Sequence, residues 1–289
     1  MDARHPAHSS SPSAAAAADP AAAGITIRPL GTLAEYKACV ALQDRVWGAG
    51  FSEAVPVSLL QAASYVGGLA VGAFDRDDTL LGFVFGLTGV QDGRTVHWSH
   101  LLGVLDSARN LGLGRMLKEY QRTELARRGI PEMLWTFDPL IAKNAHLNLN
   151  LLGARVIKFT PNMYGTTVTP LHHGLPTDRF VVACGTSGAV PAHHGPIVEA
   201  ADAPVLTLEP QAGDGAVDGR RPPPRIRLEI PTDFQRLMAR SAASAAEWHA
   251  SVRRHLQWAL THGYDVTGLH RDAVTSRSFY VLTAAPAAA

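Results

Sequence analysis

One segment near the middle of the chain constrains the fold more than any other. Residues 97–105 alternate like a β-strand, and an amphipathic helix is predicted over about 113–128, ended by Gly129. The loop between them carries two glycines, Gly112 and Gly114, which let the backbone bend tightly and approach a ligand. The sequence therefore predicts a strand, a glycine loop and a helix whose first turn presents free N–H groups and a positive dipole end.

Such a junction is suited to hold a phosphate or pyrophosphate, with Arg109 and Arg115 adding charge at its rim. Three interpretations compete. A mononucleotide P-loop needs GxxxxGK[ST], which the chain lacks. A dinucleotide fingerprint needs a third glycine, and Leu117 stands there instead. The third interpretation takes the pattern RxxGxG, formed by Arg109, Gly112 and Gly114, as the motif itself.

The rest of the main block, about residues 24–184, is predicted to follow the order βααβββαβαββ. Predicted strands are 25–29, 69–74, 80–88, 95–104, 132–137, 155–159 and 179–183, and the other predicted helices are 33–46 after the N-cap Thr32, 57–65 and 140–152. A second block of about 205–282 should contain strands near 225–230, 264–270 and 278–282. Its long helix, about 232–262, should turn Arg253, Arg254 and His255 toward solvent.

Composition excludes several classes of protein. The 289 residues are 46% hydrophobic and carry a formal charge of +1, which argues against a fibrous chain and against binding to nucleic acid or an anionic membrane. Cys39 and Cys184 lack disulfide or zinc spacing, so we expect no metal and a reducing cytoplasm. No apolar run is long enough for a membrane span. The His172–His173 and His193–His194 pairs lack an acidic partner at ligand spacing, so neither is expected to bind metal.

The domain organisation follows from composition shifts along the chain. We expect a disordered leader over 1–23, a main domain over 24–184 that contains the glycine loop, a linker over 185–204, and a C-terminal αβ extension over 205–283 with a flexible loop at 211–224. Residues 284–289 are expected to form a disordered tail.

Several motifs together resemble the GNAT superfamily of acyl-CoA-dependent N-acyltransferases, whose cofactor loop reads [RQ]xxGx[GA] between the fourth strand and the third helix. The segments that carry the resemblance to a bacterial subfamily of predicted acetyltransferases are WSHLLGV at 98–104, LKEYQR at 117–122, WTFDP at 135–139, NAHLN at 144–148, YG at 164–165 and TDRF at 177–180. It continues through LEIPTDF at 228–234, EW at 247–248 and GY at 263–264.

This resemblance implies an α/β fold with a mixed, mostly antiparallel central sheet flanked by helices, and a smaller C-terminal lobe. It implies acetyl-CoA or succinyl-CoA as co-substrate, held where the fourth and fifth strands splay apart. The implied cofactor-binding residues are Leu102, Gly103, Val104, Arg109, Asn110, Leu111, Gly112, Leu113, Gly114, Arg115 and Asn144. A backbone N–H within 101–104 would stabilise the oxyanion of the thioester carbonyl.

The acid and base are predicted from the same strand and from the region downstream. Regular alternation would place Trp98, His100 and Leu102 on one face, where His100 is either the general base or a half-buried histidine bonded across the sheet. Many GNAT enzymes use a tyrosine to protonate the departing thiolate, and Leu149 fills that slot here. Tyr164 is the nearest phenol downstream, and departure without a dedicated acid stays open.

Trp98, Asp138 and Arg179 are the candidates for binding the acceptor. Asp138 either caps the next helix or faces the acceptor pocket, and Asp178 with Arg179 forms either a structural ion pair or a carboxylate clamp. The expected activity is direct acyl transfer to a small amine or amino acid, since neither cysteine has an evident histidine partner. The chain is expected to act in the cytoplasm, with a homodimer possible. The alternative is a catalytically silent acyl-CoA-binding or protein-interaction module, and a nucleotide hydrolase or dehydrogenase is a distant third.

Overall fold

The computed structural model describes residues 24–166, 174–188, 203–206 and 223–285. The predicted leader, the two histidine pairs at 172–173 and 193–194, and most of the predicted linker, flexible loop and tail lie outside these ranges. The elements in chain order are β1 (Thr26–Pro29), α1 (Leu33–Trp47), α2 (Val57–Tyr65), β2 (Leu69–Phe74), β3 (Leu80–Gln91), β4 (Arg94–Val104), α3 (Leu113–Arg127), β5 (Glu132–Phe137), α4 (Ala142–Ala145), β6 (Arg155–Thr160), β7 (Arg179–Gly185), β8 (Val205–Leu206), β9 (Arg225–Ile230), α5 (Phe234–Arg240), α6 (Ala242–Thr261), β10 (Tyr264–Arg271) and β11 (Ser278–Ala284).

Two sheets organise these elements. Seven strands form the first sheet in the order β1-β2-β3-β4-β5-β7-β6, and four strands form the second in the order β10-β11-β9-β8. In the first sheet only β4 and β5 run parallel, while the other neighbours are antiparallel. Helices cover both faces of this sheet, with α1 and α2 on one face and α3 and α4 on the other. The predicted fold class, a mixed and mostly antiparallel sheet flanked by helices with a smaller αβ lobe, is confirmed.

The parallel pair β4 and β5 separates after a short contact. Only His97 and Trp98 of β4 pair with Met133 and Leu134 of β5. Beyond that point β5 pairs with β7, and β4 pairs only with β3 on its other side. We call the gap between residues 99–104 of β4 and 135–137 of β5 the fork. Strand backbone along the fork has hydrogen-bonding groups that no neighbouring strand satisfies.

A β-bulge lies at the start of the fork. Leu101 pairs with Phe85 and Ser99 pairs with Gly86, so His100 is the extra residue of β4. Packing is tight there, because a Cβ at Gly86 would lie 2.2 Å from the side-chain atom His97 Nε2 and 2.7 Å from the Trp98 carbonyl oxygen. A bulge shifts the alternation of side chains along a strand by one position.

The sequence places most elements correctly, and α1 begins with the predicted cap, since Thr32 and Glu35 form a reciprocal capping box. Two helices differ from prediction. The helix predicted over 140–152 is a short α4 that continues as a π-helix from His146 to Leu151. The long C-terminal helix is broken at Ser241, whose extended backbone ends α5 and whose hydroxyl accepts from Ser244 N to cap α6.

The C-terminal lobe packs directly on the first sheet. The Asn150 side chain exchanges two hydrogen bonds with the Leu269 backbone, at 2.7 and 3.0 Å. The Tyr280 hydroxyl donates to the Pro139 carbonyl at 2.7 Å, and its ring lies 5.4 Å from that of Phe180. Buried apolar residues of both sheets belong to one continuous cluster. None of the described helices has the length and apolar character to cross a membrane.

Candidate functional site

The loop between β4 and α3 has the geometry of an anion site. Asn110 and Gly112 both adopt positive φ, 68° and 75°, which turns successive backbone groups toward the helix start. Among the described residues no side chain caps α3, and the first backbone bond of the helix runs from Met116 N to Gly112 O. The N–H groups of Leu113, Gly114 and Arg115 therefore precede the helical bonding pattern and face outward. We call residues 109–115 the loop cradle.

Internal packing does not account for the two glycines of the loop cradle. Within the part of the chain that the structure describes, a Cβ built on Gly112 would have no neighbour within 4 Å, and one on Gly114 would meet only Leu102 Cδ2, at 3.6 Å. The start of α3 is therefore left open beside these glycines. The residues present fit the binding of a phosphate group, which free N–H groups at a helix start would hold.

Both rim arginines are already paired with exposed neighbours. Arg109 Nη2 lies 2.7 Å from Asp106 Oδ1, and Arg115 Nε lies 2.7 Å from Glu119 Oε1. Exposed pairs of this kind contribute about 0 to 1 kcal/mol, so either guanidinium can exchange its carboxylate for a phosphate at little cost. Asn144 is exposed on α4.

The fork leads from the loop cradle along β4. The side chains of Leu102 and Val104 pack into the cluster that contains α3, as does that of Leu111. Gly103 has no side chain, and its Cα faces Phe83 and Trp47. These β4 residues therefore offer a ligand in the fork their backbone groups rather than their side chains.

The bulge changes which residues accompany His100. Its ring packs edge-on against Phe85, 6.2 Å between centroids, on the face covered by α1 and α2. Trp98 is half-buried opposite Leu87 on that same face. Leu102 points to the α3 face, so the prediction that Trp98, His100 and Leu102 share one face is wrong for Leu102. The His100 side chain is exposed, so the half-buried alternative is wrong. Desolvation by the neighbouring groups lowers the pKa of His100, which favours the neutral imidazole.

Three predicted site residues meet beside β5. Tyr164 Oη lies 3.2 Å from Thr136 Oγ1, and the Arg179 guanidinium lies 5.5 Å from the Tyr164 ring centre. Arg179 Nη1 is 3.6 Å from Asp138 Oδ2. Since Thr136 follows Trp135 on the strand, it faces away from α3, on the face of His100. The sequence predicted Tyr164, Arg179 and Asp138 separately, and the fold brings them together.

Asp138 combines parts of its two predicted roles. Its Oδ1 accepts from Leu140 N at 2.8 Å within a turn, while Ile141 holds the N-cap position of α4. The prediction that Asp138 caps the helix is therefore wrong in position, although the carboxylate does satisfy a backbone N–H just before it. Burial raises the pKa of Asp138, and the nearby Arg179 charge acts in the opposite direction.

The Asp178 carboxylate and the Arg179 guanidinium have separate partners. Arg179 donates to the backbone carbonyl of Asp178 at 2.8 Å and lies beside the Asp138 carboxylate. The Asp178 carboxylate instead receives Arg253 Nε at 2.8 Å and lies 3.4 Å from His249 Nε2, both on α6. The prediction that Arg253 and His255 lie on a solvated face is also wrong, because Arg253 is part-buried and His255 is buried, whereas Arg254 is exposed as predicted.

A buried polar network on the α3 face was not predicted. Thr88 donates its hydroxyl proton to Gly67 O and so accepts from His97 Nδ1, at 3.0 Å, leaving His97 Nε2 to accept from Gln121. Burial, with the charges of Lys118 and Arg128, lowers the pKa of His97 to about 4. Lys118 lies beside this network, and burial lowers the pKa of its amine to about 7.

One signal for this network was present in the sequence. Leu113, Leu117 and Leu125 recur at intervals of a helical turn, and Gln121 occupies the missing position of that stripe. A polar side chain inside an apolar stripe predicts a buried hydrogen bond. Nothing comparable marks Lys118, which a helical pattern treats as an ordinary surface charge.

Comparison with known proteins gives likenesses of fold only. No protein-family model matches the chain, and no curated protein matches it. Among solved structures, the chain is similar to the NatC complex bound to Gag peptide and CoA, with a TM-score of 0.46 and 16% identity over 56% of this chain and 98% of that one. It is also similar to the ribosomal-protein-S18-alanine N-acetyltransferase from Escherichia coli, with a TM-score of 0.45 and 19% identity over 57% of this chain and 96% of that one. A third similar structure is that of a putative acetyltransferase from Salmonella typhimurium with its cofactor acetyl-CoA, with a TM-score of 0.44 and 17% identity over 57% of this chain and 95% of that one.

Proposed function

We propose that this protein is an acyl-CoA-dependent N-acyltransferase. The observation that carries the proposal is the continuity between the fork and the loop cradle. An uncapped helix start with open space before its amides lies at one end, and an unpaired strand edge leads away from it. A diphosphate at the loop cradle would accept hydrogen bonds from the free N–H groups of α3. The amide groups of a pantetheine arm along β4 would satisfy the unpaired backbone groups of the fork.

His100 is the proposed base. Removing a proton from an ammonium acceptor requires a neutral base near the reacting amine, and the lowered pKa keeps this imidazole neutral at physiological pH. It lies at the bulge where the fork begins, on the face shared with Trp98, Thr136 and Tyr164. A backbone N–H of residues 101–104 is proposed to stabilise the oxyanion.

The acceptor is proposed to bind on the His100 face, against Trp98, Tyr164, Asp138 and Arg179. Arg179 is ion-paired with Asp138, so a carboxylate on an amino acid acceptor, or on a succinyl donor, would compete with Asp138 for the guanidinium. We therefore propose a small amine or amino acid as acceptor, with acetyl-CoA or succinyl-CoA as donor. The cytoplasmic location and a homodimer also remain proposals.

Direct transfer is proposed because neither cysteine is suited to carry the acyl group. Both thiols are buried. Burial raises the pKa of Cys39 to about 12 and raises that of Cys184 as well, so both stay protonated and unreactive at neutral pH.

The binding step is tested with a pair of variants at one position. Both Gly112→Trp and Gly112→Asn place a side chain on a residue with positive φ, a backbone conformation that asparagine tolerates. Only the tryptophan side chain is large enough to fill the open space beside the free N–H groups. We expect acetyl-CoA to bind the wild type and Gly112→Asn in calorimetry and to fail to bind a folded Gly112→Trp. Equal binding by both variants would mean that the diphosphate lies elsewhere.

The catalytic step is tested by thiol release from acetyl-CoA and succinyl-CoA with pooled amino acids and amines. His100→Gln should lower kcat by about 100-fold while the acyl-CoA dissociation constant changes less than about threefold. Unchanged turnover would remove His100 from the role of base. Leu149 is buried and cannot donate a proton, which favours a silent acyl-CoA-binding module as the second candidate. Binding without thiol release across the pools would support that module.

A further inference from the structure

A buried amine lies at the closed end of the fork. Lys118 is 5% exposed, donates from Nζ to Ser99 Oγ at 2.7 Å, and lies 4.1 Å above the centre of the Trp135 ring. Ser99 and Trp135 are the first residues of β4 and β5 beyond their last paired residues, Trp98 and Leu134. The amine is therefore held by one residue from each side of the fork at the point where the strands separate.

The described surroundings of this amine supply no counter-charge. In the described ranges no carboxylate forms an ion pair with Lys118; Cys184 of β7 is the titratable group that acts on its pKa, and Lys118 in turn lowers the pKa of His97 of β4. His97 is neutral at pH 7 because its pKa is low, and the Cys184 thiol is protonated because its pKa is raised. A buried amine without a carboxylate destabilises a fold, so such a group points to a functional role.

Ser99 connects the amine to the fork. Its oxygen accepts from Lys118, and none of the described residues receives the Ser99 hydroxyl proton. The loop cradle lies at the far end of β4, so an arm anchored there and laid along the strand reaches the closed end of the fork with its tip. In an acyl-CoA that tip is the thioester, whose sulfur would then approach Ser99.

We propose that Lys118 delivers the proton that the departing sulfur takes up, through the Ser99 hydroxyl. The inference rests on the proposed acyltransferase function. As the carbon–sulfur bond breaks and its electron pair moves to sulfur, Ser99 gives its hydroxyl proton to sulfur and takes one from the Lys118 ammonium. A thiol forms, Lys118 becomes a neutral amine, and the amine regains a proton from solvent after the thiol leaves.

Two other groups fit this role less well. Leu149 lies on the same α3 face but carries no proton to give. Tyr164 reaches β5 through Thr136, on the opposite face, where His100 and the acceptor are placed. Lys118 and His100 thus take opposite faces of the same fork, which keeps the proton donor apart from the base.

The first test does not use turnover. Free coenzyme A is bound to the wild type, Lys118→Met and Tyr164→Phe, and the thiolate fraction of the bound thiol is measured by absorbance at about pH 6, where Lys118 still carries its proton. An ammonium near the sulfur stabilises the thiolate, so this fraction should be about tenfold higher in the wild type and Tyr164→Phe than in Lys118→Met. Equal thiolate fractions in wild type and Lys118→Met, or a change caused only by Tyr164→Phe, would overturn the proposal.

The second test measures the reaction. Lys118→Met and Ser99→Ala should each lower kcat by about 100-fold with the KM for acyl-CoA within about threefold, and the double variant should be no slower than either. Thr88→Val, which alters the same buried network away from Ser99, is the matched control and should keep kcat within about threefold. Full activity in Lys118→Met would refute the proposed role of Lys118 and leave the proposed acyltransferase function standing. Failure of the wild type to bind any acyl-CoA would instead refute the proposed function.

Discussion

Replacing Lys118 by methionine should stabilise the fold, and the gain should depend on pH. Burial lowers the pKa of Lys118 from 10.5 to about 7. At pH 7 this difference destabilises the folded state by about 4 kcal/mol, since the unfolded chain keeps its proton more readily. Methionine removes that penalty but loses the Ser99 hydrogen bond and the ring contact, together about 2 kcal/mol. We expect Lys118→Met to be more stable by about 2 kcal/mol at pH 7.

The pH dependence has a definite sign. Between pH 7 and 10.5 the unfolded state holds a proton on Lys118 that the folded state lacks, so wild-type stability rises with pH. The slope is about 1 kcal/mol per pH unit, and the advantage of Lys118→Met should vanish at about pH 9.

Urea unfolding of both proteins at pH 7, 8 and 9.5 measures this difference, and the exposed Lys158→Met is the control. A stability difference that stays constant over this range, or that matches the Lys158→Met control, would show that the Lys118 amine is not buried as the structure has it.

Three further outcomes are expected. Gly86→Ala should lower the free energy of unfolding measured in urea by about 2 kcal/mol, because its Cβ would lie 2.2 Å from His97 Nε2 and 2.7 Å from Trp98 O. Gly89→Ala on the same strand is the control, since its Cβ has open space and should leave the free energy of unfolding nearly unchanged. The free energy of unfolding of the wild type should fall by about 3 kcal/mol as pH drops from 6.5 to 4, because His97 is protonated in the unfolded state and, with its lowered pKa, stays neutral in the folded state. His97→Gln should lack this pH dependence. The same pH dependence in His97→Gln would assign the effect to another group. Arg253→Met should cost about 3 kcal/mol by stranding the buried Asp178 carboxylate, and exposed Arg254→Met should be neutral; equal effects of the two would remove the ion pair as the cause.

Local sequence determined much of the first sheet. The helix Val57–Tyr65 and the strands Leu69–Phe74 and Glu132–Phe137 have the predicted bounds, because turn residues delimit continuous apolar runs. The loop cradle was also predictable, since glycine adopts the positive φ of Gly112 at less cost than residues with a Cβ.

What the sequence missed depends on contacts between distant residues. The bulge at His100 arises from the register of β3 against β4, which no single strand specifies. Asp178 and Arg253 are 75 positions apart, and the pattern around Arg253 favours a solvated face because it does not show that Asp178, just before β7 of the first sheet, pairs with it. Lys118 looks like a surface charge by helical spacing, and only the fold of β4 and β5 around it makes it buried.

The shared apolar cluster has a consequence for how the molecule unfolds. Phe180 of the first sheet and Tyr280 of the second are both fully buried, and their rings contact each other. Deleting residues 223–285 would leave Phe180, Asp178 and Asn150 facing water without their partners. The two sheets should therefore melt in one cooperative transition, and the half that carries the glycine loop should not survive as an autonomous folding unit.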